Sequence, residues 1–424
     1  MHLSAILAVA LIIVLMARMS LPQSDDKDTD GSKPAIRNVT IGVISGYEGT
    51  LHAYKLLTSL AQDDINNYCV ERGINYRFRF NLSDPVEMAQ QALTYTQAFR
   101  AAGVDMILGY AWSSHLCSGA RAYGYNKTMV LMTPSARSSI YSLRNDTLYH
   151  LSVLEVDPIE TTLKAMSDRG VKAYLMIYNS NYGGTYIADY ISGSTVKSPK
   201  FEENRILSYD QNTSIKNIIG RADSALEEMI GAYGRNHTAV LWCGLTQDPY
   251  GVFLGKRFLA EAVNYTSLSS VNWYLYDDMS SRGTYSGMPE APKLRLISLE
   301  MVLKPNPTYE RLNRIWGNST NSPSPLGYYD ANIYDGLWVL SLSAIKANST
   351  EPLDIMKVLP SVASDYVGAT GRCTLDDTGA RAGADYDIYA YFEVEGRTRS
   401  LLCGGYRWEE GRFTWDNTLL GDVL

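Results

Sequence analysis

The sequence predicts an α/β protein built of two doubly wound parallel-sheet lobes, and three observations predict it. Short apolar runs bounded by turn residues alternate with segments of helical period from Val39 onward, the pattern of a parallel sheet with crossover helices. The same alternation restarts after Asp157-Pro158, so a second unit repeats the plan of the first. The chain has 424 residues, too many for one ordinary domain and enough for two.

In chain order, Val39 to Ser45 reads as a strand that ends in Gly46-Tyr47-Glu48-Gly49. A helix is expected from Leu51 to Glu71, with Leu56, Leu60 and Ile65 on its apolar side. Tyr76 to Asn81 alternates as a strand does, and Asp84-Pro85 reads as a helix start running to Ala102. Asp105 to Arg137 is the stretch with the most chemistry. Met106 to Gly109 is a strand, Tyr110 to Ser114 a loop, His115 to Tyr125 a helix and Met129 to Met132 a second strand. Ser113 or Ser114 is placed to cap that helix, and Ser135 ends the next strand. Both clusters then lie beyond the carboxyl ends of the strands, where open α/β sheets bind ligands.

Leu151 to Val156 reads as a strand leading out of this unit. In the second unit the strands are Ala173 to Tyr178, Arg205 to Tyr209, Ala239 to Cys243 and Val271 to Tyr276. Its helices are Glu160 to Arg169, Ile215 to Tyr233 and the segment ending at Val263. Leu294 to Leu303 is a long apolar strand, and helices are expected at Tyr309 to Trp316, Asn332 to Ala347 and Leu353 to Ala363. Tyr386 to Val394 and Ser400 to Trp408 close the chain as strands. This last third is too small for a core of its own and completes the other two.

The net charge of −7, with no basic stripe, argues against a nucleic-acid partner. Tyrosine, at 31 residues against 8 phenylalanines, suits wet clefts, because its ring packs while its hydroxyl bonds. Residues 1–22 are expected to be a signal peptide or an N-terminal anchor, since Leu3 to Met16 is apolar but shorter than a comfortable span. Residues 23–35 read as a polar stalk. Nine asparagines sit in N-x-S/T: Asn38, Asn81, Asn126, Asn145, Asn212, Asn236, Asn264, Asn318 and Asn348. They point to an exported, cell-surface or secreted glycoprotein. The five cysteines fit no zinc spacing. In an exported protein an even subset should pair, and Cys69–Cys117 and Cys373–Cys403 are the expected disulfides, leaving Cys243 as a small apolar residue in a strand.

Four segments carry a resemblance. They are GYAWSS with VLMTPSA, the Tyr182-Gly183 turn, YYDANIYDGLWVLSLSAIKA, and GATGRCTLDDTGARAGADYDIYAY from Gly368 to Tyr391. Their order and spacing resemble the type I periplasmic binding proteins, in particular the branched-chain amino acid and amide binding proteins of ABC transporters. The resemblance implies two lobes with three crossovers, 36–154 plus 302–366 and 155–301 plus 367–424. It implies that a ligand carboxylate is held by Ser113 or Ser114 and by Ser135 with Ala136. The family's threonine two residues later is Arg137 here, whose guanidinium can clamp a carboxylate through two hydrogen bonds. It further implies Asp277 or Asp278 for a ligand ammonium, and Tyr47, Trp112 and Tyr182 around the ligand side chain. The family's aromatic residue after Gly244 is replaced by Leu245-Thr246, so Thr246 lines a different pocket.

The expected function is therefore that of an extracytoplasmic solute-binding protein. It would bind an amino acid-like or amide ligand between closing lobes and deliver it, as a monomer, to an ABC permease in the membrane. A ligand-sensing receptor ectodomain of the same fold, held by the N-terminal segment, is the alternative. An enzyme is not expected, and neither a cofactor nor a metal is called for. No G-x-S-x-G, H-E-x-x-H or P-loop spacing occurs among the five histidines and the glycines. His115 and Ser114 are neighbours that do not face each other on a helix. Asp376-Asp377 with Gly379 is too short for a calcium loop.

Overall fold

A computed structural model describes residues 35–116, 118–139, 145–180, 184–193, 199–210, 212–243, 254–276, 285–320 and 325–420. The expected signal or anchor segment and nearly all of the stalk lie outside them, as do Cys117, Tyr182, Thr246, Asp277 and Asp278.

The first sheet has five parallel strands: β1 (Arg37–Ile44), β2 (Tyr76–Leu82), β3 (Met106–Gly109), β4 (Val130–Thr133) and β5 (Leu148–His150). They lie in the order β2-β1-β3-β4-β5. The second sheet takes β6 (Ala173–Asn179), β7 (Glu203–Tyr209), β8 (Thr238–Cys243), β9 (Asn272–Leu275) and β10 (Leu296–Met301), all parallel. A small pair, β11 (Val367–Gly368) and β12 (Gly371–Arg372), precedes an antiparallel extension of β13 (Tyr386–Val394), β14 (Arg397–Arg407) and β15 (Arg412–Trp415). The second sheet is ordered β15-β14-β13-β10-β9-β8-β6-β7.

Both faces of the central strands of each sheet are covered, which is why those strands read as unbroken apolar runs. On the first sheet, α1 (Leu51–Glu71) shares a core with Val39, Ile41, Phe78, Met106 and Val130. Three helices from late in the chain, α8 (Pro307–Thr320), α9 (Tyr328–Ala347) and α10 (Pro352–Asp365), complete that face. Its other face carries α2 (Ala89–Ala101) and α3 (Ser118–Tyr125). On the second sheet, α6 (Ile215–Tyr233) and α7 (Leu254–Ala262) cover one face, and α4 (Val156–Asp168) and α5 (Gly184–Ser192) the other. The chain passes between the two sheets three times: from β5 to α4, from β10 to α8, and from β12 to β13. Among the described residues no helix is long and apolar enough to cross a membrane.

Several expectations are corrected. The helix expected from Asp84-Pro85 begins at Ala89, because residues 83–86 still run along β1, with Ser83 N donating to Val43 O and Val86 N to Gly46 O. Residues 151–155 form a crossing and not a strand, and α4 starts at Val156 with Asp157 in its first turn. On α1 the buried residues are Ala53, Tyr54, Leu57, Thr58, Ala61, Ile65 and Cys69, with Leu56 and Leu60 only half-buried. The disulfide Cys373–Cys403 does not form. Cys373 is packed in the core of the first sheet and Cys403 in that of the second. Cys69 is also a buried thiol in α1. Burial pushes the thiol pKa values up, to about 11 for Cys69 and about 12 for Cys373 and Cys403. Cys243 is buried at the end of β8.

Candidate functional site

The site is built where β3 and β4 end. Tyr110, the residue after β3, takes a left-handed backbone with φ 71, a strained choice for a non-glycine residue. Its ring is wholly buried, and its hydroxyl lies 2.7 Å from Thr96 Oγ1 on α2. That turn delivers Trp112 to the surface, 49% exposed, with its ring centroid 6.1 Å from that of Tyr47, which is 40% exposed beyond β1. The two aromatic residues expected around a ligand are thus side by side at the strand tips.

Ser113 or Ser114 was expected to cap a helix, and Ser113 does something else. A short 3-10 turn, Ser113–His115, precedes α3, and no serine caps it. Instead Ser113 Oγ accepts from Arg137 N at 3.2 Å and Ser138 N at 3.1 Å. The hydroxyl oxygen has two lone pairs and both are engaged, so its proton remains to be donated. Ser135 is the complement. Its Oγ donates to Ala111 O at 2.9 Å, which commits the proton and leaves lone pairs. Ser114 is exposed beside them. Ala136 is buried, and its carbonyl accepts from Thr133 Oγ1 at 2.7 Å and from His150 Nδ1 at 2.8 Å. A carbonyl only accepts, so Nδ1 carries the proton, and burial keeps the His150 ring neutral by lowering its pKa. Ser113, Ser135, Ala136 and Arg137 therefore form one welded turn, and Tyr47 and Trp112 stand at its mouth.

Arg137 does not simply replace a threonine. It is 5% exposed, and its charge lies among Tyr329, Tyr276, Tyr386 and Glu155. Burial works against that charge, but these neighbours outweigh it and the pKa lies above the ordinary guanidinium value. Around it runs a polar floor that sequence reasoning missed. Ser138 Oγ donates to Glu155 Oε1 at 3.0 Å, Glu155 N to Arg137 O at 3.0 Å, and Tyr276 OH to Glu155 O at 3.0 Å. Tyr386 OH on β13 donates to Asp157 Oδ2 at 2.8 Å. Burial raises the pKa of Glu155 and lifts that of Asp157 to about 6. The floor joins the turn of residues 135–138, the first crossing and the tips of the second sheet. The signal that could have found it is Glu155-Val-Asp-Pro158, two acids at a helix start between the repeating units.

A second anchor fixes the third crossing. Asp335, wholly buried on α9, accepts from Ala369 N at 2.8 Å, Thr370 N at 2.8 Å, Thr370 Oγ1 at 2.6 Å and Tyr366 OH at 3.2 Å. Only glycine fits at 368, where a Cβ would stand 2.1 Å from Asp335 Oδ1. Arg381, also buried, donates to Thr370 Oγ1 at 2.7 Å, Thr370 O at 2.6 Å and Arg372 O at 2.8 Å. Its main-chain N–H bonds His150 O at 2.9 Å, tying this crossing to the end of β5. Among the described residues no group of acids, histidines and cysteines could hold a metal ion.

Two covered α/β sheets, three passages between them and a polar turn at the strand tips define the type I periplasmic binding fold. Solved structures share it. The substrate-binding protein of an ABC transporter from Desulfitobacterium hafniense, in complex with Leu, matches with a TM-score of 0.63 at 16% identity, over 86% of this chain and 100% of that one. A leucine binding protein from Thermotoga maritima gives 0.59 at 14% identity, over 88% and 99%. The solute binding protein of an ABC transporter from Rhodopseudomonas palustris, in complex with 3,4-dihydroxy benzoic acid, gives 0.58 at 13%, over 87% and 97%. At such identities the likeness is one of fold. No protein-family model and no curated protein matches the sequence.

Proposed function

We propose that this chain is the extracytoplasmic solute-binding protein of an ABC importer and that it closes its two lobes on a small solute bearing a carboxylate. The observation that carries the proposal is Ser113. Its hydroxyl is fixed by two main-chain N–H groups and turned into a donor at the strand tips. The leucine and dihydroxybenzoic acid bound by the similar structures share a carboxylate and little else. The lobes are taken as 36–154 plus 302–366 and 155–301 plus 367–424, the chain acts as a monomer, and its partner is a membrane permease. Asp277 and Asp278, two and three residues beyond β9, are assigned to a cationic end of the ligand. The ligand meets Tyr47 and Trp112 from the first lobe, and Tyr182 and Thr246 from the second.

A thermal-shift screen of amino acids, amides and aromatic acids, followed by calorimetry, tests this reading. Ser113→Ala removes one hydrogen bond to a charged group, worth about 1.5–3 kcal/mol, so affinity should fall about 10- to 100-fold. Unchanged affinity in the folded variant would reject the assignment.

A further inference from the structure

The strand order leaves β2 at the rim of the first sheet. Phe78 and Phe80 point into the core under α1, whereas Arg77, Arg79 and Asn81 lie on the opposite face. In the register of the parallel pair, Asn38 stands beside Arg77 and Gly42 beside Asn81. Helix α2 reaches this face only near Gly42, where an added Cβ would meet Phe99 at 2.8 Å. Short of that contact no helix among the described residues covers Arg77 and Arg79, which are exposed. An open groove of about 1200 Å³ runs around the rim, lined by Asn38, Thr40, Arg77, Arg79 and Asn81 and, from α1, by residues that include Asn66.

Two classes of occupant are disfavoured by the groove itself. A further β-strand is blocked, because α1 already bonds the edge. Asn66 Oδ1 accepts from Phe78 N at 2.8 Å, its Nδ2 donates to Phe78 O at 2.9 Å, and Gln62 Oε1 accepts from Phe80 N at 2.7 Å. An amphipathic helix would need an apolar floor, and the floor is arginine, threonine and asparagine. What remains is an occupant that is polar and carried by the groove. Asn38-Val39-Thr40 and Asn81-Leu82-Ser83 are both acceptor sequons. Both asparagines line the groove and lie on the same face, about 13 Å apart along the strand pair. Neither side chain makes a hydrogen bond among the described residues, whereas those of Asn66, Asn306, Asn313 and Asn332 are all engaged. Among the described residues the two buried asparagines, Asn179 and Asn332, lie outside sequons, and eight of the nine sequon asparagines are exposed, Asn81 being half-buried.

We propose that this rim groove is the seat of N-linked oligosaccharides on Asn38 and Asn81, which cover this exposed part of the first sheet. The inference rests on the extracytoplasmic part of the reading above and is independent of which solute is bound. In the transfer, the amide nitrogen bonds to the anomeric carbon of a lipid-diphosphate-linked oligosaccharide. The anomeric carbon–oxygen bond to the diphosphate breaks, and the amide gives up one proton.

Glycopeptide mass spectrometry of the full chain, isolated from its native cell envelope, tests the proposal. Sugar is expected on the peptides containing Asn38 and Asn81. In the variant carrying Asn38→Gln and Asn81→Gln, with its circular dichroism unchanged, amide exchange across Arg77 to Asn81 should quicken at least severalfold relative to the glycosylated chain. Bare Asn38 and Asn81 in a chain that carries sugar at Asn236 would overturn this seat alone. A chain bare at all nine sequons would overturn it together with the expectation of an exported glycoprotein, while calorimetry reads solute binding separately. Equal exchange in the two chains would show that the sugars do not lie on the groove.

Discussion

Asp335→Asn puts the account of the third crossing to the test. The carboxylate receives four donors, two on each oxygen. In the variant the remaining carbonyl oxygen keeps Ala369 N and Tyr366 OH. The new amide nitrogen then faces the N–H of Thr370, and two donors meet. Thr370 Oγ1 can turn to accept, but it already receives Arg381 Nη1 at 2.7 Å, and its own proton then loses the Asp335 oxygen it was donated to. The loss is one charge-assisted bond to a buried N–H, about 1.5–3 kcal/mol, plus a buried donor left without an acceptor, about 1–3 kcal/mol. Urea denaturation at pH 7.5 should show the folded state weakened by about 2.5–6 kcal/mol. Arg381 would lose its counter-charge across Thr370, so crossing residues 366–372 should also become protease-sensitive before the chain unfolds. A change below about 1 kcal/mol would mean that Asp335 does not hold the return segment.

Asp157→Asn should act in the opposite direction. The folded carboxyl titrates at about 6 against an ordinary 3.8, so its contribution to stability is present below pH 4 and is lost as pH rises through 6. The amide still accepts from Tyr386 OH, so the variant should be more stable than the parent by about 2–3 kcal/mol at pH 8 and show a flatter profile between pH 4 and 6. Parallel profiles would refute the assignment. Because Cys69, Cys373 and Cys403 are thiols, added reductant should leave the melting temperature unchanged within about 1 °C. A fall of several degrees would reveal a disulfide after all. Trp112→Ala should cost no more than about 0.5 kcal/mol of stability, its ring being half exposed, yet weaken ligand binding severalfold in calorimetry; a large loss of stability would make it a packing residue.

Much of the architecture is legible in the sequence where the period is strong. Ile215–Tyr233 and Tyr386–Val394 are read to the residue, because one keeps a helical apolar stripe and the other is a β-rich apolar run bounded by charged and turn residues. The turns bearing Ser113 and Ser135 are also placed at the strand tips in advance. What a single strand of letters does not show is which partner a polar atom finds. Ser113 reads as a helix cap because caps are local. Its actual partners lie 24 and 25 residues on, brought there by sheet order. Cys373 and Cys403 read as a pair because oxidised chains pair their cysteines, but they fall into cores on different sheets. Asp335 lies in a quoted motif, yet its role depends on Gly368 closing against it from 33 residues away. The polar floor under Arg137 gathers side chains from the turn after β4, the first crossing, the residue after β9, and β13, a coincidence that no local pattern encodes.

The most direct test of the central claim is small-angle X-ray scattering of the purified chain with and without a saturating ligand taken from the thermal-shift screen. Closure of the two lobes over Ser113 predicts a radius of gyration that falls on binding, and a fall that Ser113→Ala shifts to higher ligand concentration. Scattering curves that superpose at saturation, for a ligand shown by calorimetry to bind, would contradict it.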